Sequence, residues 1–254
     1  MDSQAHHEIV RVLPVHEVWL TRWPTPAALA AEPSGEAVRA WGRLGYPRRA
    51  LRLHAAATTI VEEHDGEVPA SYDDLRALPG IGDYTAAAIA TFAHGRRHVV
   101  LDTNVRRVLG RSVAGVEFPA ASVTAPERAL ASELLPEDEP TAATWSVAVM
   151  ELGALVCTAA NPRCASCPVA DLCAWRTAGK PAYDGPPRKV QTWAGTDRQC
   201  RGRLLAVLRE SDGAVHASRL DAAWADEGQR LRCLASLLED GLLVRTDAGS
   251  YALP

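Results

Sequence analysis

The stretch Leu78-Pro79-Gly80-Ile81-Gly82-Asp83-Tyr84 joins two runs of helix-forming sequence. Residues 72–78 are predicted to form a short helix, because Ser71 can act as its N-cap and Asp74 follows three residues later, close to a capping box. Residues 84–93 are rich in alanine and predict a second helix. A proline and two glycines favour a tight turn between them. The stretch therefore predicts a helix–hairpin–helix motif, with an ordinary turn between two helices as the alternative.

The glycines of this turn also predict a binding site for an anion. Gly80 and Gly82 carry no side chains, so they leave backbone N–H groups uncovered at the N-terminus of the second helix. The helix dipole favours negative charge at that end. A DNA phosphate fits such a site without preference for base sequence.

Further along the chain, four cysteines follow a C-x6-C-x2-C-x5-C pattern and are Cys157, Cys164, Cys167 and Cys173. Four thiolates this close in sequence can form a tetrahedral sulfur cage for an iron–sulfur cluster or for Zn²⁺. Core cysteines or two disulfides are the alternatives. Pro162 and Pro168 argue against them, because prolines between the cysteines favour a tight metal-binding loop. The spacing matches neither ferredoxins nor ordinary zinc ribbons, so by itself it leaves iron–sulfur and zinc open.

Asp102 stands between the apolar run Val99-Val100-Leu101 and a helical pattern that includes Val105 and Val108. An aspartate in this position usually caps the helix that follows it. Helix capping is therefore the first interpretation of Asp102 when the residue is considered alone.

Together, these features resemble those of a known superfamily. A helix–hairpin–helix motif, an aspartate at the head of the next helix and a four-cysteine loop occur in this order in the helix–hairpin–helix DNA glycosylases with an iron–sulfur cluster. The resemblance covers residues 10–175. It implies a mainly α fold, namely a helix–hairpin–helix glycosylase bundle with a [4Fe–4S] loop.

Three further segments narrow the resemblance to adenine DNA glycosylases of the MutY type. Residues 41–46 (WGRLGY), with Arg49 and Leu53-His54, resemble the pattern W-x-G-L-G-Y-Y-x-R-x-x-x-L-H. Residues 101–108 (LDTNVRRV) resemble L-D-G-N-V-x-R-V, with Thr103 in place of the usual glycine. Residues 151–157 (ELGALVC) resemble D-L-G-A-x-x-C.

Tyr84 separates this chain from the bifunctional relatives that resemble endonuclease III. Those relatives carry a lysine at this position, and its amine forms a Schiff base with the sugar. A tyrosine cannot carry out that chemistry. The resemblance therefore implies a monofunctional glycosylase, which removes the base without cutting the strand.

The resemblance implies a DNA N-glycosylase of base excision repair that removes adenine mispaired with 8-oxoguanine or guanine in double-stranded DNA. Asp102 is expected to stabilise the positive charge that develops on the sugar, Asn104 to orient Asp102, and Tyr84 to line the sugar pocket. Tyr46 is expected to wedge into the base stack beside the lesion. The other expected DNA contacts are Gly80, Ile81, Gly82, Arg49 and Arg106. The expected ligands of one structural [4Fe–4S] cluster are Cys157, Cys164, Cys167 and Cys173.

The chain is predicted to contain two domains. Residues 1–178 are expected to form the glycosylase domain, with the iron–sulfur loop at 157–173. Residues 179–196 read as a linker, because the segment that follows the cysteines is rich in proline, glycine and lysine. Residues 197–254 are expected to form a small winged-helix-like domain.

The winged-helix-like pattern rests on three predicted helices, at 201–210, 217–224 and 229–239, and on a final hairpin. Gly241 is expected to cap the third helix, and Asp247-Ala248-Gly249 to form the turn of the hairpin. Adenine glycosylases usually end instead in a larger Nudix-like domain that inspects 8-oxoguanine. Recognition of that base is therefore in doubt here. The third helix either contacts DNA, or the module docks on the glycosylase domain.

A net charge of −4 argues against DNA binding by bulk charge alone. The arginines are nevertheless grouped, and each group is either a solvated helix face or a set of phosphate contacts around one cleft. The groups are Arg48, Arg49 and Arg52; Arg96 and Arg97; and Arg106, Arg107 and Arg111.

The composition is that of an intracellular protein. No apolar run has the length of a membrane span, and no charged-then-apolar leader opens the chain, so membrane and secretory interpretations are not supported. Clustered free thiols fit a reducing compartment. We expect a monomeric, cytoplasmic protein of bacterial type, associated with the nucleoid. Cys200 and Cys233 stand apart and are expected to be buried small residues.

The N-terminus departs from the family pattern. In the family, a helix with S-E-x-M-L-Q-Q-T-x-V precedes R-V-L-P-V, which is residues 11–15 here. Its glutamate is the expected general acid that protonates adenine, and its place falls at Met1 or before it. Asp2, His7 or Glu8 could substitute only in a different helix register.

Two alternatives to an adenine glycosylase remain open. One is a catalytically weakened DNA-binding paralogue, favoured by the unmatched glutamate and disfavoured by Asp102 and Asn104. The other is a thymine or uracil mismatch glycosylase of the same fold, which would also keep the tyrosine, the aspartate and the cysteines. Residues 41–46 favour adenine.

We expect the 254-residue chain to bind a mispaired duplex but to excise adenine slowly, because general acid catalysis contributes about 10²- to 10⁴-fold. Binding should weaken steeply as salt is raised. Adding an upstream helix that carries the glutamate should restore turnover in a single-turnover assay. Full activity without this helix would show that a local group such as Glu8 supplies the proton.

Overall fold

A computed structural model describes residues 3–185, 193–246 and 249–254 and is mainly α-helical, as the sequence predicts. The helices of these residues, numbered α1 to α13, span Ser3–Arg22, Pro26–Ala30, Ser34–Trp41, Arg48–Glu63, Tyr72–Ala77, Asp83–Phe92, Thr103–Ser112, Ala125–Leu134, Glu139–Leu155, Ala174–Thr177, Asp197–Arg209, Ala217–Asp221 and Glu227–Glu239. Single 3₁₀ turns span Cys164–Ser166 and Ala170–Leu172. Three strands, β1 to β3, span Val215–His216, Val244–Arg245 and Ser250–Ala252.

The chain divides into two compact units, each made of segments that are distant in sequence. The first unit contains Met1–His6, Pro69–Ala77 and Ile81–Pro187. The second unit contains His7–Val68, Leu78–Gly80 and Arg188–Pro254. The domain boundaries given above stay predictions, and part of the expected linker, residues 186–192, lies outside the described residues.

The first unit is built around the packing of α7 against α9. Val105 and Leu109 of α7 are buried with Ala131 of α8, and Trp145 and Met150 of α9 pack against this cluster. These apolar positions recur at helical spacing, so each helix turns one stripe inward. The start of α5 also agrees with the sequence, because the backbone N–H of Asp74 donates to the hydroxyl of Ser71 at 3.1 Å.

The second unit has one core that combines N-terminal and C-terminal helices. Ala37 and Val38 of α3 are buried in the same cluster as three leucines of α11, which are Leu204, Leu205 and Leu208. The guanidinium of Arg39 donates to the carbonyl oxygens of Arg209 and Ser211 at 2.5 and 2.7 Å. The C-terminal helices therefore dock on α2–α4 within this unit.

The C-terminal elements form an antiparallel sheet in the order β1-β3-β2, with Val215 opposite Tyr251 and Val244 opposite Ala252. Helix α11 precedes β1, and α12 and α13 lie between β1 and β2. The sequence did not predict β1, because two residues are too few to show an alternating pattern. Gly241 has φ +67°, as expected after a helix C-terminus. In the predicted hairpin turn, Asp247 and Ala248 lie outside the described residues.

Two further expectations concern the interior and the membrane. Cys200 and Cys233 are buried, which confirms the prediction for them. Burial, followed by a hydrogen bond to Cys233, raises the pKa of the Cys200 thiol to about 12.

Among the described residues, no helix combines the length and apolar character needed to cross a membrane.

Replacement of glycine by alanine should change the free energy of unfolding in opposite directions at Gly35 of α3 and Gly202 of α11, because only Gly35 is packed closely against the C-terminus. A methyl group at Gly35 would overlap the carbonyl oxygen of Pro254 and lie 2.9 Å from Cβ of Leu253, whereas a methyl group at Gly202 of α11 meets nothing within 4 Å. Gly35→Ala should lower the free energy of unfolding by about 1–3 kcal/mol. Gly202→Ala should raise it by about 0.5–1 kcal/mol, because alanine favours a helix. Urea denaturation measures both changes, and a stabilising Gly35→Ala would contradict this packing.

Candidate active site and cysteine cavity

The turn between α5 and α6 has the geometry expected of an anion-binding hairpin. Gly80 has φ +77°, a conformation that side chains other than glycine rarely adopt. Gly82 is the N-cap of α6 and provides no side-chain acceptor for the first-turn N–H groups. Asp83, the next residue, accepts hydrogen bonds from Arg76 at 2.7 Å and from Arg128 at 3.2 Å. The bond from Arg76 is the main reason that the pKa of Asp83 is lowered. The carboxylate is therefore balanced by two cations beside the open helix end.

Asp102 caps α7 and is also oriented by a second side chain. Its Oδ1 accepts from the backbone N–H of Val105 at 2.6 Å, which is the capping bond predicted from the sequence. Its Oδ2 accepts from Nδ2 of Asn104 at 3.0 Å. Both carboxylate oxygens are therefore held in place by donors on the first turn of α7. The structural and the expected catalytic interpretations of Asp102 are compatible.

Arg107 fixes the orientation of Asn104. Its Nη2 donates to Oδ1 of Asn104 at 2.7 Å and to the carbonyl oxygen of Gly153 at 2.6 Å. Its Nε donates to the carbonyl oxygen of Cys157 at 2.6 Å. An arginine can only donate and a carboxylate can only accept, so the Asn104 amide must turn its oxygen to Arg107 and its nitrogen to Asp102. A continuous set of hydrogen bonds thus joins Asp102 to the first cysteine of the loop.

Gly153 lets α9 approach α7 closely at Asn104. A Cβ at position 153 would lie 2.7 Å from Cβ and 2.8 Å from the backbone oxygen of Asn104. No real Cβ atom tolerates such distances, so only glycine fits without movement of one helix. The glycine of the residue 151–157 motif therefore positions the partner of Asp102.

Tyr84, in the first turn of α6, lies close enough to Asp102 for the charge of the carboxylate to affect the phenol. Burial raises the pKa of the Tyr84 phenol, and the carboxylate of Asp102 raises it further. The side chain remains 46% exposed. The phenol is therefore a neutral group at the open side of the same site as Asp102.

The four cysteines of the loop surround one small cavity of about 30 Å³. Its walls also include Val156, Pro162, Ala170 and Trp175. In the described part of the chain, no three His, Cys, Asp or Glu side chains are arranged to hold a single metal ion. The four thiols that the sequence predicts as metal ligands are therefore brought together around one cavity.

A buried arginine forms part of the same cavity wall. Arg111 is 1% exposed, and its guanidinium donates to Sγ of Cys157 at 3.5 Å and to the carbonyl oxygen of Thr158 at 2.8 Å. It also lies 4.8 Å from the ring centroid of Trp175. No carboxylate forms an ion pair with Arg111 among the described residues. Negatively charged thiolates in the cavity would supply the charge that balances this cation.

The structure corrects the expected role of the arginine group on α7. Arg107 and Arg111 are buried and donate to carbonyl oxygens, so they are not phosphate contacts. Arg106 binds Glu127 at 2.8 Å and the carbonyl oxygens of Ala120 and Ser122. Its role as a DNA contact stays a prediction, and these bonds argue against it.

The remaining predicted contacts lie at the start of α4, in the second unit. Tyr46 is 65% exposed and has φ +46°. Arg49 is exposed, and its guanidinium lies 5.8 Å from the ring centroid of Trp41. Both side chains are accessible, as a contact with DNA requires.

The sequence did not predict the structural roles of Arg107, Arg111 and Gly153. The first two lie four residues apart on α7, next to buried Val108, so their spacing places them on the inner face of the helix. This spacing indicates burial, but arginines are usually exposed, so the sequence alone favoured a solvent-facing or phosphate-binding role for them. Nothing in the sequence alone shows how close Gly153 lies to Asn104.

Comparisons with known proteins identify relatives of this chain. The model of the helix-hairpin-helix motif matches residues 63–92. The chain is 52% identical over 245 residues to the adenine DNA glycosylase of Mycobacterium tuberculosis, covering 96% of this chain and 80% of that protein. It is also 52% identical to the adenine DNA glycosylase of Mycolicibacterium smegmatis, over 96% of this chain and 82% of the relative. A solved non-covalent endonuclease III–DNA complex is similar in fold, with a TM-score of 0.58 at 24% identity, over 68% of this chain and 79% of that chain.

The helix–hairpin–helix motif, the oriented aspartate and the relatives together define a DNA N-glycosylase of base excision repair. The identity to the mycobacterial proteins extends over most of both chains. The chain therefore belongs to the adenine DNA glycosylase family.

The contact between Gly153 and Asn104 predicts a loss of activity from a single methyl group. Gly153→Ala should displace Asn104 and lower the single-turnover rate of base excision by about 10- to 100-fold, the usual cost of misplacing a catalytic group. Gly110→Ala is the matched control on α7, because its methyl group would lie at an ordinary 3.5 Å from Cγ2 of Val116. Equal rates for the two variants would contradict the role of Gly153.

Proposed function

We propose that this protein removes adenine mispaired with 8-oxoguanine or guanine in double-stranded DNA, as a monofunctional glycosylase. The observation that carries the proposal is the Asp102 carboxylate, whose two oxygens are fixed by Val105 and Asn104. Membership of the adenine DNA glycosylase family supports adenine as the base. We also propose that the protein acts as a monomer in the cytoplasm.

The chemistry of Asp102 follows from charge. When the bond between the sugar and adenine breaks, positive charge develops on the sugar as in glycoside hydrolysis. A carboxylate already oriented by donors stabilises that charge without rearranging in the transition state. The departing adenine also needs a proton, and a group that acts as a carboxylate has none to give. That acid is a separate requirement of the mechanism, and water, or Asp102 transiently, must then bond to the sugar carbon that adenine has left.

Tyr84 supports a reaction that stops after base removal. Its raised pKa keeps the phenol protonated at neutral pH, and a phenol cannot form a Schiff base with the opened sugar. Its partly exposed position beside Asp102 suits a wall of the sugar pocket. Removal of the base should therefore leave the strand intact.

DNA is proposed to bind through the hairpin and the start of α4. The first-turn N–H groups of α6, with those of Ile81 and Gly82, suit one phosphate of the backbone. Arg49 adds positive charge in the second unit. Tyr46 is proposed to wedge into the stack where adenine leaves it, a step that a mispair makes easier. The solved endonuclease III complex, in which a protein of this fold binds DNA, supports this proposal.

The cysteine cavity is proposed to hold one [4Fe–4S] cluster bound by Cys157, Cys164, Cys167 and Cys173. The proposal is supported by four thiols around one cavity and by the buried guanidinium of Arg111, which donates to Sγ of Cys157. The cluster would hold the loop in its fold. No step of base removal requires electron transfer.

Base excision tests the proposed function directly. The protein should release adenine from a duplex with A opposite 8-oxoguanine, and the strand should break only after alkali or heat. Asp102→Asn should abolish release without weakening duplex binding. Borohydride should trap no covalent complex with DNA. Strand cleavage without alkali, or trapping at Tyr84, would contradict the monofunctional mechanism.

Iron content tests the proposed cluster. The purified protein should show broad visible absorption and contain four iron atoms per chain, the content of one [4Fe–4S] cluster. Cys164→Ser should remove both signals, and Arg111→Met should reduce them because the thiolates lose their buried cation. Cys233→Ala, which changes a cysteine outside the cavity, should retain them. A colourless protein with one equivalent of zinc would contradict the cluster.

A further inference from the structure

Three side chains of the second unit form an exposed cluster, and the proposed function uses only one of them. Cζ of Arg198 lies 5.0 Å from the ring centroid of Tyr46 and 5.4 Å from that of Trp193. Tyr46 is 65% exposed and Trp193 is 53% exposed. One guanidinium therefore contacts two aromatic rings that both remain open to solvent. We call these three residues the cation–aromatic cluster.

The backbone holds Tyr46 in an unfavourable conformation. Its φ of +46° is uncommon for a bulky residue and is typical of functional positions where surrounding structure enforces it. The indole of Trp41 donates to the carbonyl oxygen of Gly45 at 2.8 Å, and Arg49 N–H donates to the carbonyl oxygen of Tyr46 at 2.9 Å. These bonds fix the turn that presents the ring.

The start of α11 holds the other two members of the cluster. The hydroxyl of Thr196 donates to the carbonyl oxygen of Trp193 at 2.8 Å and accepts from the N–H of Gln199 at 3.3 Å as the N-cap. Arg198 is in the first turn of the same helix. One capping arrangement thus fixes the backbone that carries Trp193 and Arg198, and Arg198 contacts both Trp193 and Tyr46.

The cluster lies next to the hairpin side of α4. Arg48 and Arg49 open α4 directly after Tyr46, and a Cβ at Gly80 of the hairpin would lie 2.6 Å from Cβ of Arg52. Arg52 follows Arg48 by four positions, which is about 6 Å along a helix. Within the second unit, Gly80 and the turn that presents Tyr46 therefore both lie beside the first turns of α4.

We propose that Trp193 and Arg198 extend Tyr46 into one DNA-binding surface at the mispair. Aromatic faces and arginine planes stack on unpaired bases, and extrusion of a base exposes such faces on its neighbours. The guanidinium also matches the negative charge of the backbone. This inference rests on the proposed function, because unpaired base faces arise only if the protein extrudes a base from the duplex. It gives the C-terminal region a part in selecting the mispair.

Binding measurements test the surface in the Asp102→Asn background, where no base is released. Affinities are compared for a duplex with A opposite 8-oxoguanine and for the same duplex with A opposite T. Arg198→Ala and Trp193→Ala should each weaken binding of the mispaired duplex about 10-fold, the usual cost of losing one stacked base, with a much smaller loss for the matched duplex. Arg203→Ala is the control, because it removes the same charge from an exposed position of α11.

A second variant separates stacking from charge. Arg198→Lys keeps the charge but loses the planar group, so it should lower mispair selectivity almost as much as Arg198→Ala. Thermal unfolding should confirm that each variant is folded. Equal losses for both duplexes, effects no larger than that of Arg203→Ala, or full selectivity in Arg198→Lys would overturn the proposal.

Adenine release by the unsubstituted chain is measured separately. Absence of release together with mispair-selective binding that depends on Arg198 would contradict the proposed function and would support the binding surface. If the protein releases adenine but the Arg198 and Trp193 variants bind the mispaired duplex normally, the proposed function is supported and the binding surface is contradicted.

Discussion

The buried guanidinium of Arg107 is the contact on which the candidate site depends. It joins three parts of the first unit, because its acceptors are Asn104 on α7, Gly153 on α9 and Cys157 in the cysteine loop. A hydrogen bond to a charged group contributes about 1.5–3 kcal/mol, so the loss of one of these acceptors is costly. The position of Asp102 is therefore coupled to the fold of a loop that takes no direct part in base removal.

Arg111, one helical turn after Arg107, explains why the cysteine loop needs charge as well as packing. A fully buried cation is expensive to remove from water, and its neutral carbonyl partners do not cancel that cost. Cysteines that bind the proposed cluster as thiolates would supply the missing negative charge. The two arginines thus have distinct partners on one helix face, since Arg107 donates to Asn104, which holds Asp102, and Arg111 donates to Sγ of Cys157.

The sequence predicted the elements whose signals are local. The cap of α7 at Asp102, the capping of α5 by Ser71, the hairpin glycines and the burial of Cys200 and Cys233 all follow from residue type and spacing. It did not predict contacts that depend on how helices meet. The approach of Gly153 to Asn104 and the shared contact of Arg198 with Tyr46 and Trp193 join residues far apart in the chain. Such contacts require the folded structure.

The same limit applies to the C-terminal region, whose docking or DNA contact the sequence left open. Its leucines share one core with α3 and α4, and Arg48 of α4 pairs with Asp240 at 2.9 Å. The region is therefore part of the support of α4, and the turn that presents Tyr46 leads directly into that helix. Docking and DNA contact are then not exclusive. The region that packs against α4 also carries Arg198, which contacts the exposed ring of Tyr46, so its packing is compatible with the DNA-binding surface that we propose.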